Sequence, residues 1–202
     1  MRVSSGAMTD REGSRRMATN IVLTGFMGTG KTTVGRALAD RLGREFVDTD
    51  VLIEGRHGPI PEIFAAHGEE HFRHLERELA AELAARTDLV IATGGRLMVD
   101  PVNATVLSGT GSVVCLTASI DTIVDRVGGE VAAATRPLLA GGDVRARIAQ
   151  LLADRAPAYA RFPQVPTDDA DLDTIVSRMV AGTMRVVGET GGVASVDDGA
   201  GS

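Results

Sequence analysis

The stretch Gly25-Phe26-Met27-Gly28-Thr29-Gly30-Lys31-Thr32 constrains this chain more than any other feature. It satisfies the pattern G-x-x-x-x-G-K-[ST] at every fixed position and directly follows the apolar run Ile21-Val22-Leu23, which reads as a strand. Its three glycines let successive backbone N–H groups curl around phosphate oxygens without Cβ clashes, and the helix that follows points the positive end of its dipole at the same anion. Lys31 is the only lysine among 21 basic residues; everywhere else the chain uses arginine. Its ammonium is placed to bridge the β- and γ-phosphates of a nucleotide, and Thr32 to offer its hydroxyl to Mg²⁺. Gly28, Thr29, Gly30 and Thr33 complete the expected nucleotide cradle. A guanine-specific Asn-Lys-x-Asp motif is impossible with a single lysine, which argues against an ordinary GTPase switch.

Composition narrows the class further. A length of 202 residues predicts one domain with a single core. The net charge of −6 gives no electrostatic footprint for nucleic acid or an acidic membrane surface, so neither is expected as a partner. Cys115, the single cysteine, cannot form an internal disulfide and reads as a small buried hydrophobe, which fits a reducing cytoplasm. Residues 1–19 are polar, lack the apolar core of a secretory signal and read as a flexible extension, with Met8 and Met17 as alternative starts. The tail 188–202 is rich in Gly, Ser, Val and Asp without period and is expected to be disordered. No apolar run approaches the roughly 20 residues that span a bilayer. The folded domain is therefore placed at 20–187.

Within it, short β-branched runs alternate with helical patterns, the βαβ signature of an α/β fold with a mostly parallel sheet. Strands are predicted at Asn20–Thr24, Glu45–Asp48, Leu89–Ala92, Ser112–Thr117 and, weakly, Gln164–Pro166. Helices are predicted at Thr32–Leu42, Gly68–Ala85, Asp143–Tyr159 and Asp171–Val187. Gly128-Gly129 and Gly141-Gly142 bracket a stretch that reads as a mobile lid beside the nucleotide site.

Asp48-Thr49-Asp50 ends the second strand, on the sheet edge where ligands of open α/β proteins collect. If the segment stays extended, the two carboxylates point the same way. One can then reach Mg²⁺ or its waters while the other accepts a proton from an attacking hydroxyl. The competing use is a helix N-cap, because Asp50 precedes the apolar Val51-Leu52-Ile53. Arg73 and Glu76 lie three apart on a helix face, either as a solvated bridge or as an arginine oriented by a glutamate to grip a substrate carboxylate. His67, His71 and His74 also have helical spacing; Gly68 interrupts them and no cysteine is near, so surface histidines are expected rather than a zinc site.

Taken together, the phosphate loop, Asp48-Thr49-Asp50, Phe72-Arg73-x-x-Glu76, Gly94-Gly95, Arg136-Pro137-Leu138-Leu139 and Arg155-Ala156-Pro157-x-Tyr159 resemble the shikimate kinase family over about residues 20 to 182. The resemblance implies a P-loop three-layer fold with a five-stranded parallel sheet, order 2-3-1-4-5, and a mobile lid. It implies ATP- and Mg²⁺-dependent phosphorylation of a hydroxyl of a small hydroxylated acid, shikimate, in aromatic amino-acid biosynthesis, by an enzyme expected to be a monomer. By that resemblance Asp50 binds the acceptor hydroxyls and acts as base, Lys31 and Arg136 act on the phosphates, and Thr32 and Asp48 form the metal side. Arg126 stacks on adenine, while Arg73, Arg155 and the backbone of Gly94 and Gly95 grip the acceptor. One departure stands out: the family's third consecutive glycine is Arg96 here. A long cation at that point either turns to solvent or pairs with an acid such as Glu76, or else it enters the acceptor pocket and favours a more anionic or differently shaped cyclitol or sugar-like acid.

Overall fold

The computed structural model describes residues 19–127 and 143–189, with side chains described up to residue 182. The N-terminal extension, the lid stretch 128–142 with Arg136, and the chain from residue 190 onward lie outside the described residues.

Five strands, β1 (Asn20–Thr24), β2 (Glu45–Asp48), β3 (Leu89–Ala92), β4 (Gly111–Thr117) and β5 (Gln164–Pro166), form one sheet in the order β2-β3-β1-β4-β5. Every neighbouring pair is parallel. Parallel neighbours require crossovers, and helices supply them: α1 (Lys31–Leu42), α2 (Thr49–His57), α3 (Ile60–Ala84), α4 (Pro101–Ser108), α5 (Ile120–Val127), α6 (Val144–Tyr159) and α7 (Leu172–Glu189). All five residues of β1 are buried, and their alternation divides the core. Ile21 and Leu23 join Val34 and Leu38 of α1 and Val176 of α7 on one face, whereas Val22 joins Ile53, Phe72, Leu79 and Leu107 on the other. A third cluster, with Phe26, Cys115, Ile123, Ile148 and Tyr159, lies beside the phosphate loop. Cys115 is fully buried there, and that burial pushes its thiol up to about 11.

The helices depart from the sequence reading in two places that matter for the site. Asp50 is not on an extended segment: α2 begins at Thr49, and Asp48 is its N-cap, its side chain accepting from the backbone N–H of Asp50 at 3.1 Å and of Val51 at 3.5 Å. The cap is the earlier of the two aspartates, because from just before the helix its side chain reaches forward to the exposed N–H groups of the first turn. The second departure is α3, which begins at Ile60 after Pro59 and continues across Gly68, where φ 80° and ψ 176° break its helical geometry. The following segment, which carries Arg73 and Glu76, is thereby set at a new angle.

Candidate active site

Loops from the carboxyl ends of β1, β2 and β3 meet over one cavity of ≈ 440 Å³, lined among others by Lys31, Thr32, Asp48, Asp50, Gly95 and Arg126. Gly25 opens the phosphate loop with φ 130°, and a Cβ there would stand 2.2 Å from the Leu116 carbonyl oxygen, so only glycine lets the loop lie against β4. Gly30 at φ 85° then turns the chain into α1. The ammonium of Lys31 donates to the carbonyls of Gly25 and Phe26, both at 2.9 Å. These acceptors replace part of its hydration, yet burial still pulls its pKa down to about 8, opposed by the negative charges of Asp50 and Asp48. Thr29 is buried, its hydroxyl donating to the Phe26 carbonyl at 2.7 Å, while Thr33 stands exposed at the cavity wall.

The two aspartates divide their work. Asp48, besides capping α2, accepts a hydrogen bond from the Thr32 hydroxyl at 2.8 Å, giving a pair of hard oxygen ligands at the mouth of the loop, the donor set that suits Mg²⁺. Asp50 faces the cavity from the first turn of α2, and among the described residues no group donates a hydrogen bond to its carboxylate. Burial first, and then the neighbouring Asp48, push its pKa up to about 6, with Lys31 pulling the other way. Gly94 is what gives it room: a Cβ on Gly94 would lie 2.4 Å from Asp50 Oδ1. The Gly94 N–H donates to the Thr49 hydroxyl at 2.8 Å, locking the turn after β3 to the start of α2.

Facing that turn are the arginines. Arg155 is buried at 5% exposure, lies 5.1 Å above the Phe26 ring and donates to the Gly95 carbonyl at 3.3 Å. The Tyr159 hydroxyl donates to the same carbonyl at 2.6 Å. Arg73 and Glu76 are not a solvated bridge: the Glu76 side chain is 2% exposed and Arg73 Nη1 stands 2.5 Å from Glu76 Oε2. Burial raises the Glu76 pKa and the Arg73 guanidinium opposes that rise. Arg96 pairs with neither solvent alone nor Glu76; its Nη1 donates to Glu69 Oε1 at 2.7 Å, and its backbone φ of −114° is one that any residue adopts. Arg126 bridges the phosphate loop to the end of β5, donating to the carbonyl of Gly28 at 3.1 Å and to that of Thr167 at 2.9 Å.

Of the residues singled out from sequence, Gly28, Gly30, Lys31, Thr32, Thr33, Asp48, Asp50, Gly95 and Arg126 line the one cavity. Thr29, Gly94 and Arg155 contact Phe26, Asp50 and Gly95 respectively without lining it, and Arg73 and Arg96 are tied to Glu69. Sequence reasoning missed Glu69 and Thr167, and named Phe26, Thr49 and Tyr159 only as motif positions without a role. Tyr159 and Glu69 carried a usable signal, each four residues from an arginine on the same helix; Thr167 carried none.

Comparison with known proteins agrees with this fold. The family model for shikimate kinase matches residues 27–184. A shikimate kinase from Symbiobacterium thermophilum is 46% identical over 164 residues, covering 80% of this chain and 94% of that relative. One from Pelotomaculum thermopropionicum is 44% identical over 163 residues, covering 80% and 93%. Among solved structures, shikimate kinase from Acinetobacter baumannii in complex with shikimate superposes with a TM-score of 0.77 at 35% identity, over 83% of this chain and 94% of that one.

Proposed function

The chain belongs to the shikimate kinase family, and from that premise we propose that it transfers the γ-phosphoryl group of ATP to a hydroxyl of shikimate. The observation that carries the reading is the shared cavity. Lys31, a cation suited to the phosphates, and Asp50, a carboxylate suited to a hydroxyl, line the same space from the first turns of two different helices, α1 and α2.

Phosphoryl transfer asks a protein for positioning and charge neutralisation more than for covalent chemistry. Lys31 exchanges its two carbonyl partners for the phosphate oxygens, and the N–H groups of the loop and of the start of α1 hold the remaining oxygens. Thr32 and Asp48 would hold Mg²⁺, which when bound would neutralise phosphate charge. Asp50 accepts the proton of the acceptor hydroxyl; a carboxyl with a pKa of about 6 is ionised at neutral pH yet basic enough to share that proton as the bond forms. Arg73, oriented by Glu76, and Arg155, seated on Phe26 and Gly95, grip the acceptor carboxylate. The family resemblance gives Arg126 to the adenine and Arg136, which lies outside the described residues, to the γ-phosphate. The pairing of Arg96 with Glu69 speaks against a different cyclitol or sugar-like acid as the acceptor.

Purified protein with ATP, Mg²⁺ and shikimate should release ADP and yield a phosphorylated shikimate by mass spectrometry, with a chelator stopping the reaction. Absence of product, with turnover on another cyclitol in the same panel, overturns shikimate as the acceptor.

A further inference from the structure

Arg96 stands where two positive charges are already gathered, and the structure provides for its charge. Glu69 lies in the first turn after the break at Gly68, a position that also favours a negative charge. A single oxygen of it, Oε1, accepts from Arg96 Nη1 at 2.7 Å and from Arg73 Nε at 3.2 Å, with Arg73 Nη2 also 3.2 Å away. Glu76 takes Nη1 of the same Arg73. A guanidinium has five N–H donors, so with three engaged Arg73 keeps about two for a ligand. Around the Gly94-Gly95 turn the Asp50 carboxylate lies against Gly94 on the side of the acceptor hydroxyls, while on the side of the acceptor carboxylate three guanidiniums face the two glutamates, leaving one positive charge in excess there.

We propose that Glu69 and Arg96 form a charge-compensating pair that sets the acceptor site for a single carboxylate, with Glu69 as a specificity-determining residue. The inference rests on the reading of Arg73 and Arg155 as the acceptor grip. Without Glu69, both the Nε/Nη2 edge of Arg73 and the head of Arg96 are released, and the site carries two uncompensated positive charges. Such a site suits a dianion. Without Arg96, Glu69 keeps its charge beside the acceptor carboxylate with only Arg73 to offset it, and a monoanion binds less well. The pair therefore explains how the chain accommodates an arginine in place of a glycine without changing the charge its acceptor must carry.

The test uses malonate as a dianionic probe and acetate as a monoanionic one, titrated calorimetrically at constant ionic strength into the full chain. The proteins are wild type, Glu69→Gln, Glu69→Asp, Arg96→Gly and the double variant Glu69→Gln/Arg96→Gly. Anion binding at the phosphate loop is common to all five and cancels. Because Glu69 and Arg96 are each about half exposed (52% and 47%), the variants should fold, which far-UV circular dichroism checks. Glu69→Gln should bind malonate about tenfold more tightly than wild type, the worth of about one added charge-assisted hydrogen bond, with a smaller gain for acetate. Glu69→Asp should show no such gain, and the double variant should lose it. Equal malonate affinity in wild type and Glu69→Gln, or a gain that survives removal of Arg96, overturns the proposal. In parallel, the shikimate KM of Arg96→Gly should rise with kcat little changed, whereas an unchanged KM counts against the pair. Failure of wild type to phosphorylate shikimate overturns the underlying reading instead, and the two failures are told apart.

Discussion

Asp50→Asn should make this protein more stable at neutral pH while abolishing most of its activity. The Asp50 carboxyl titrates at about 6 in the fold against an ordinary 3.8, because burial and Asp48 disfavour its ionised form. Between those two values the folded chain holds a proton that the unfolded chain has released, so stability falls as pH rises through that window and the full cost is present above it. A rise from 3.8 to about 6 corresponds to about 3 kcal/mol, a figure that already contains the attraction to Lys31, and it is an upper bound because a buried Asn amide brings unpaired polar groups of its own. A net gain of about 1–2 kcal/mol raises the melting temperature by about 3–6 °C for a domain of this size. Differential scanning calorimetry near pH 7.5 reads it directly, and the gain should shrink below about pH 6 and vanish only below about pH 3, where wild-type Asp50 is protonated in both states. Turnover should fall by about 100-fold or more. A variant that melts below wild type near neutral pH, or that keeps a constant advantage down to acid pH, refutes the claim that Asp50 is held ionised at a cost.

Lys31→Ala should keep the circular dichroism spectrum of wild type and lose nearly all phosphoryl transfer; a folded variant with most of the wild-type rate sinks the nucleotide role. The kcat/KM for shikimate should be bell-shaped, rising as Asp50 loses its proton at about 6 and falling as Lys31 loses its own at about 8 in the free enzyme. A profile flat across that range contradicts both assignments. Gly94→Ala should cost activity rather than fold, because the added methyl meets Asp50 Oδ1 at 2.4 Å and must displace the carboxylate. Wild-type kcat in that variant means the carboxylate's position does not matter.

What could be read from the sequence is what the chain determines locally. The strands Asn20–Thr24, Glu45–Asp48 and Leu89–Ala92 stand where their apolar runs predict, because each is a short fully or half-buried segment bounded by turn residues. The glycines of the phosphate loop and the lysine after them fix their own geometry within eight residues. Two helical stretches were lost to local rules that tertiary structure overrode. Gly68 reads as a helix boundary, yet the chain resumes a helix on both sides of it, and Asp48-Thr49-Asp50 reads as extended although Asp48 caps a helix. Illegible, too, were contacts between distant residues. Glu69 and Arg96 are 27 residues apart, and Thr167 reaches the Thr29 carbonyl across 138 residues at 2.9 Å. Nothing in one sequence says which acid an unexpected arginine meets; only the parallel order of the strands brings the turn after β3 beside α3.

The two titratable groups at the centre of the cavity hold each other in the charged state. Burial pulls Lys31 towards its neutral form and Asp50 towards its own, and in each case the other's charge is among the forces resisting. Water, the usual stabiliser of both ions, is partly excluded by Phe26 and by the turn at Gly94. Removing one partner should therefore move the other's titration, and the direction is fixed: in Lys31→Ala, Asp50 loses a favourable charge while keeping its burial and its repulsion from Asp48. Its pKa should climb above the wild-type value of about 6, by about one unit or more for a neighbouring opposite charge. Carboxyl-¹³C NMR of aspartate-labelled protein, with Asp50→Asn identifying the resonance, follows this without needing turnover. An Asp50 resonance that titrates at the same pH with and without Lys31 would show that the two groups are independent, and that the basicity of Asp50 comes from burial and Asp48 alone.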